Sequence, residues 1–354
     1  VRLPRPGGRT GRRTPKPTLV FVYIVRRMIA AVALLLVVSA ITFAIFFLLP
    51  RLAGGTVDSL ATQYIGKNPS PESIAAVKQN LGLDQPLHHQ FWEFLKGIFV
   101  GREFNFGPQP SQCHAPCLGY SFKDHVEVWP QMLERLPVTA SLAFGAAVVW
   151  LVTGVTTGVI SALRPGSLFD RVAMGVALAG VSLPMFFTGV LSLALFVFNW
   201  PIFTNVYVDF SDDPTGWFQA LVLPWCTLAF LYSALYARLT RAGMLETMSE
   251  DYIRTARAKG LRERVVVTRH GLRSALTPII TIFGMDFGLL LGGAIVTETV
   301  FSYHGVGEYA YQAIAVNDLP KILGVTLFAA FFIVLCNLLV DLVYAIIDPR
   351  VRLS

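Results

Sequence analysis

RLTRAGMLETMSEDYIRTARAKGLRERVVVTRHGLRSA, residues 238–275, carries nine basic and four acidic side chains between two long apolar runs. That charge density excludes the segment from a hydrocarbon interior, so it must lie at a membrane face. Ser249 is placed to cap a helix, with Glu250 and Asp251 in its first turn, where the helix dipole favours negative charge. Tyr252, Ile253, Ala256 and Lys259 follow, and Gly260 stands where a left-handed residue would end the helix. Leu261 opens a second helix with Val265–Val267, Leu272 and Leu276 on its apolar side. The expectation is helix, glycine turn, helix. Two readings stay open on these features alone: a basic amphipathic hairpin held by lipid headgroups, or a rigid lever docked into a partner protein.

Outward from this segment the chain is dominated by apolar runs. Of 354 residues, 54% are hydrophobic and 14% charged, against roughly 45–50% and 25% in ordinary soluble domains. Those figures make a soluble two-domain enzyme a poor first guess and exclude a disordered chain. A membrane helix needs about 20 mostly apolar residues, and six stretches qualify: Met28–Leu49, Val138–Leu163, Val172–Phe198, Phe218–Ala237, Thr277–Val300 and Ile322–Ile347. The Lys and Arg census gives orientation: 21 of 29 fall on the N-terminal side of the membrane and 8 on the other, most of those in one long loop. Both termini are expected in the cytoplasm. The first run is too long for a signal-peptide core and is read as a retained helix. The net charge of +7 is thus a membrane-face signature rather than a nucleic-acid one. The division that follows is a basic cytoplasmic tail 1–27, a first transmembrane helix 28–50, an extracytoplasmic loop region 51–137, a five-helix core 138–348 with the charged loop 238–276, and a cytoplasmic end 349–354.

Within 51–137, Pro69–Leu81 has helical features with Ser70 as N-cap, and Phe91–Val100 is a short aromatic amphipathic stretch suited to the membrane–water interface. Asn105–Cys117 is a Pro-rich insert. Cys113 and Cys117 lie on the outward, oxidising side and are read as a candidate disulfide; with His114 they offer three ligands of a zinc site whose fourth is not evident, so no metal is assigned. Cys226 and Cys336 read as apolar packing residues. Asp286, deep in the fifth run, either lines a pore and meets a peptide amine or is hydrogen-bonded to a neighbouring helix. Asp341 reads as structural, paired with the basic loop. Gly284, Gly288 and Gly292 form a small-residue stripe for close packing, against a second subunit or within this one. Pro184 is expected to kink the third span.

The run DYIRTARAKGLRERVVVTRHGLRSALTPI resembles the cytoplasmic "EAA" loop of importer permeases driven by ATP-binding-cassette ATPases, in the version used by the dipeptide/oligopeptide/nickel family. Arg254, Thr255 and Ala256 occupy the E-A-A positions, Gly260 the key glycine and Leu272 the leucine; His270 and Arg273 stand for the Ile and Pro, as is usual in the peptide branch. LGLDQPL (81–87), RLTRAGMLE (238–246), ETVFSYHGVG (298–307) and NLLVDLVYAIIDPRVR (337–352) resemble the same branch, so the likeness covers about 19–352. The 105–117 insert and the Arg-rich tail depart from it.

The resemblance implies an all-α integral membrane protein of six transmembrane helices with the type I importer permease fold, in the bacterial inner membrane. It implies half of a translocation path for dipeptides or short oligopeptides, shared with a second, homologous permease and fed by an extracytoplasmic solute-binding protein. Asp251, Tyr252, Arg254, Thr255, Ala256, Arg257, Ala258, Lys259, Gly260 and Leu261 would couple to a cytoplasmic ATPase, and Tyr303, His304 and Gly305 would face the binding protein. The sequence contains no G-x-x-x-x-G-K-[ST] phosphate loop. ATP and Mg are therefore expected on partner ATPase chains, with no cofactor and no catalytic residue in this one. The competing classes are an ion-coupled secondary transporter, for which no convincing internal repeat is present, and a membrane scaffold without transport.

Overall fold

A computed structural model describes residues 17–65, 70–104 and 111–347. The tail 1–16, part of the 105–117 insert (105–110) and the end 349–354 lie outside the described residues.

Helix α1, Pro17–Phe43, runs on through a π-helical turn, Ala44–Leu48, to Leu49–Leu52. Ile29, Val32, Val37 and Ile41 on its surface are exposed, as an apolar helix facing lipid requires. The chain then builds an outward unit from α2 (Val57–Ile65), α3 (Pro71–Leu81) and α4 (Leu87–Val100). Two small hairpins follow: β1 (Arg102–Phe104) pairs antiparallel with β2 (Ser111–Cys113), and β3 (Tyr120–Ser121) with β4 (Val126–Glu127). Ser70 caps α3 as its sequence predicts, with Ser73 completing the reciprocal bond, and left-handed Gly82 ends it. Phe43 and Phe47 of α1 share a buried cluster with Leu60, Tyr64, Phe104 and Phe122, so the outward unit is bolted to the first span. Burial holds the Tyr64 phenol above its ordinary pKa. Cys113 and Cys117 form a disulfide, and His114 turns its Nδ1 to Glu127 at 2.9 Å. Among the described residues no cluster of His, Cys, Asp and Glu could hold a metal.

The core begins with α5 (Val128–Leu163), which starts ten residues before the apolar run does and carries Pro137 inside it. The expected third span is not one kinked helix. Pro184 cannot donate a backbone hydrogen bond, and the chain breaks there into α6 (Leu168–Ser182) and α7 (Met185–Leu193, continuing π-helically to Asn199), bent by 101°. Among the described residues five helices are long and apolar enough to cross a membrane, and the bent pair makes a sixth if taken as one span. Helix α8, Pro214–Met248, extends well past its apolar run, so Arg238–Met248 is its cytoplasmic end. Trp225 of α8 donates its indole N–H to the Ser141 carbonyl of α5 at 3.0 Å, and Trp150, Leu228 and Tyr236 fill the seam between the two.

After α9 (Asp251–Ala258), a helical stretch Glu263–Val265 and a π-helical Val266–Gly271 lead without interruption into α10 (Leu272–Leu291). The fifth span therefore ends at Leu291, not Val300: Gly292 and Gly293 break it, and Ile295–Phe301 is a separate short helix, α11. Then come α12 (Val306–Ala315) and α13 (Leu319–Ile347). The glycine stripe faces inward. A Cβ on Gly284 would lie 2.2 Å from Val340, and one on Gly288 2.9 Å from the Ile333 backbone. The stripe thus seats α13 of the same subunit. Asp341 pairs with Arg27 of α1 at 3.0 Å instead of with the 238–276 loop, and ties the first and last helices at their cytoplasmic ends. Cys336 is buried against this stripe, whereas Cys226 is exposed on its helix.

Candidate coupling site

The cytoplasmic site is built by α9 and the turn after it. Ser249 does not cap α9: its hydroxyl returns to the Glu246 carbonyl at 2.7 Å and ends α8, while Glu250 takes the N-cap position without a side-chain bond. Ile253 and Ala256 are buried and pack with Val266 and Met248. Ala256, named above as a coupling residue, therefore belongs to the inner face. Asp251, Tyr252, Arg254, Thr255, Arg257, Ala258, Lys259, Gly260 and Leu261 are exposed.

Two ties stiffen this element against the fifth span. Tyr252 donates to Ser274 Oγ at 3.1 Å, and Arg257 holds Glu263 with two bonds, 2.7 and 3.2 Å, across the turn. The Glu263 carboxylate holds the Arg257 guanidinium above its ordinary pKa. Gly260 spans the turn at φ +76°. A Cβ there would touch nothing, so the requirement for glycine is one of backbone conformation alone. The predicted second helix is thus the entrance of α10 itself, and α9 is attached to a span at one end through a clamped turn and to α8 at the other.

A second cytoplasmic clamp escaped the reading of the sequence. Arg241 of α8 grips Asp170, in the first turn of α6, at 2.7 and 2.9 Å, and Asp170 also accepts the Gly166 N–H at 2.8 Å. Neither residue stands out locally: one is a first-turn acid and the other one basic residue among nine.

Midway along the spans, Tyr236 of α8 donates to Asp286 Oδ2 of α10 at 2.8 Å. The hydrogen-bonded alternative for Asp286 is present, and the half-buried carboxyl also keeps part of its surface exposed. Trp150 lies beside it, stacked on Tyr232 at 4.7 Å and tilted to Phe283 at 6.1 Å.

On the outward side, Tyr303 is fully buried and donates to the Ala220 carbonyl at 2.7 Å, and Gly305 is buried against Glu298 and Thr139. Of Tyr303, His304 and Gly305, only His304 is exposed. The organising group here is Glu298, with no exposed surface. Its Oε1 accepts Thr139 Oγ1 at 2.8 Å and the Ala294 N–H at 3.2 Å, and its Oε2 accepts the Glu308 N–H at 2.9 Å. Thr139 Oγ1 in turn accepts the Val306 N–H at 2.9 Å. A carboxylate from α11 thus serves the free N–H groups that open α12, where the helix dipole favours an anion. The signal was legible: an acid inside the apolar run GGAIVTETVF asks for a partner. At the other end of α12, Lys123 donates to the Val316 and Asn317 carbonyls at 2.6 and 2.8 Å, joining the outward unit to the core.

Apolar helices long enough to cross a membrane, with one charged, clamped helix on the basic side, define an integral membrane protein. The comparisons with known proteins give the family. The model for "binding-protein-dependent transport system inner membrane component" matches residues 154–353, and that for the N-terminal part of such components matches 20–143. A peptide transport system permease protein of Brucella abortus (strain 2308) is 38% identical over 333 residues, covering 93% of this chain and 98% of its own. The dipeptide transport system permease protein DppB of Escherichia coli (strain K12) is 33% identical over 354 residues with the same coverage. DppB of Alkalihalophilus pseudofirmus is 34% identical over 352 residues, covering 93% and 99%. The chain belongs to the binding-protein-dependent transport permeases. It is a multi-pass subunit of the bacterial inner membrane and the non-enzymatic translocation component of an ATP-driven importer, which works with ATPase and binding-protein partners.

Proposed function

We propose that this subunit pairs with a second, homologous permease to carry dipeptides or short oligopeptides inward, and that α9 is the lever through which the ATPase drives it. The observation that carries the reading is the two-sidedness of α9. Ile253 and Ala256 are tucked onto Met248 and Val266, while the charged face is left open between two fixed ends. ATP and Mg sit on the partner ATPase. Closure of that partner moves α9, and the Arg257–Glu263 and Tyr252–Ser274 ties pass the displacement to α10. Reversing a two-state equilibrium from 1:99 to 99:1 takes about 5.5 kcal/mol of differential interaction, which calls for a stiff connection rather than a tether. The peptide class is supported by the named transport of the relatives. Asp286, part-exposed between spans, is the group offered to a peptide ammonium on the way through.

The test is Gly260→Val in the purified complex with its binding protein and a labelled dipeptide. A β-branched residue at φ +76° costs about 1–2 kcal/mol in that backbone conformation, enough to distort the turn, and its Cβ meets no neighbour. Uptake and peptide-stimulated ATP hydrolysis should fall together while the subunits stay assembled. Wild-type values for both would refute the lever.

A further inference from the structure

The third span breaks inside the hydrocarbon. Helix α6 holds 15 residues from Leu168 to Ser182, about 22 Å of rise, and the Asp170–Arg241 clamp fixes its cytoplasmic end. The hydrocarbon core is about 30 Å thick, so the elbow at Leu183–Pro184 stands within it. Around this elbow six main-chain groups have no backbone partner among the described residues: the carbonyls of Val181, Ser182 and Leu183, and the N–H groups of Met185, Phe186 and Phe187. Ser182, Leu183, Pro184, Phe186 and Phe187 are all exposed.

The break at Gly292–Gly293 solves the same problem differently. Counted from Thr277, where its apolar run begins, the fifth span stops after as many residues as α6. There, however, Leu291, Gly292 and Ala294 are buried, and Glu298 takes the Ala294 N–H. The two breaks touch: Thr297 of α11 donates to Met185 Sδ at 3.5 Å, and a Cβ on Gly189 would stand 3.0 Å from Val300 Cγ1. Helix α7 is thus seated on α11 by one side, while the elbow stays open. Unpaired backbone at membrane depth cannot face lipid; it is tolerated only where protein buries it or where it lines a water-filled cavity. An apolar helix from another chain would cover the elbow without serving its six groups, because the main chain of a helix is already paired. Water serves them.

We propose that the elbow Ser182–Phe187 lines the water-filled translocation path of this subunit, with its unpaired carbonyls and N–H groups hydrated and the solute passing over them. The bend at Pro184 turns α7 across the membrane and so brings main chain, rather than apolar side chains alone, to the wall of the path. The assignment rests on the role of this family as the translocation component and not on the class of solute or the action of α9.

The test uses the assembled transporter in membrane fragments open to both sides, with the free thiols removed by Cys226→Ser and Cys336→Ala. Ser182→Cys, which changes a single atom, and Leu183→Cys are each treated with a charged methanethiosulfonate, without solute, in the presence and absence of a non-hydrolysable ATP analogue. The adduct on the full chain is followed by mass spectrometry. Ile41→Cys, on the lipid face of α1 and about 20 Å along it from Met28, is the hydrocarbon control at like depth. The reagent attacks a thiolate, which needs water to form, so an elbow cysteine should react roughly tenfold faster than the control, or more, in at least one nucleotide state. The rate should also differ between the two states, because a path that alternates its access is wetted differently in each. Reaction no faster than at Ile41→Cys in both states would overturn the proposal. So would fast reaction at equal rates in the two states, which would mark a static wet crevice. No solute is added, so the result stands whether or not the cargo is a peptide, and Gly260→Val tests the lever separately.

Discussion

Thr139 shows how much one side chain can hold at the outward end. Its hydroxyl donates a hydrogen bond to Glu298 and accepts one from the Val306 N–H, at 2.8 and 2.9 Å. Replacing it by valine keeps the shape and leaves two buried polar groups short of a partner, at about 1–3 kcal/mol each. Thr139→Val should lower the melting midpoint of the purified complex by a few degrees, since a chain longer than 250 residues shifts by less than about 2–4 °C per kcal/mol. Thr139→Ser should restore it. Equal midpoints for all three forms would mean that the buried carboxylate does not depend on Thr139. Gly260 belongs to the same scale, since its constraint is one backbone angle with open space around it.

At the scale of elements, the decisive contact is the close approach of α10 and α13. Gly288 leaves 2.9 Å between an added Cβ and the Ile333 backbone, and backbone cannot move aside as a flexible side chain does. Gly288→Val should therefore cost about 1–3 kcal/mol through overpacking and lower the melting midpoint accordingly. Gly175→Ala, where an added Cβ meets nothing within 4 Å, should leave the midpoint unchanged or raise it slightly, because alanine favours a helix. If Gly288→Val melted like the parent, the interior seat of the stripe would be wrong. The Asp170–Arg241 clamp works at this scale too: it ties the cytoplasmic end of α8 to that of α6, the helix that stops at the break before Pro184.

For the whole molecule the question is which face looks where. Basic residues gather on one side of the spans, and the Arg27–Asp341 pair and α9 sit on that side. His304 is exposed at the other end. A membrane-impermeant maleimide should label His304→Cys in spheroplasts, and Lys259→Cys only after the membrane is permeabilised. The opposite pattern would invert the whole orientation.

The sequence by itself determined the class of fold, because the cost of charge in hydrocarbon and the length of each apolar run are local quantities. That is why the number of crossings, the side bearing the basic residues, the Ser70 cap, the turn at Gly260 and the charged helix beside it were legible residue by residue. Partners were not. Which way Ala256 faces, that Tyr303 and Gly305 are buried, that Asp341 meets Arg27, and that Pro184 bends the chain by 101° depend on groups far apart in the chain. The end of the fifth span at Leu291 is of the same kind: the apolar run continues, but the backbone breaks at Gly292–Gly293 and Glu298 is drawn to Thr139, 159 residues away. Hydropathy places residues relative to the membrane, while only tertiary packing decides what each one touches within it.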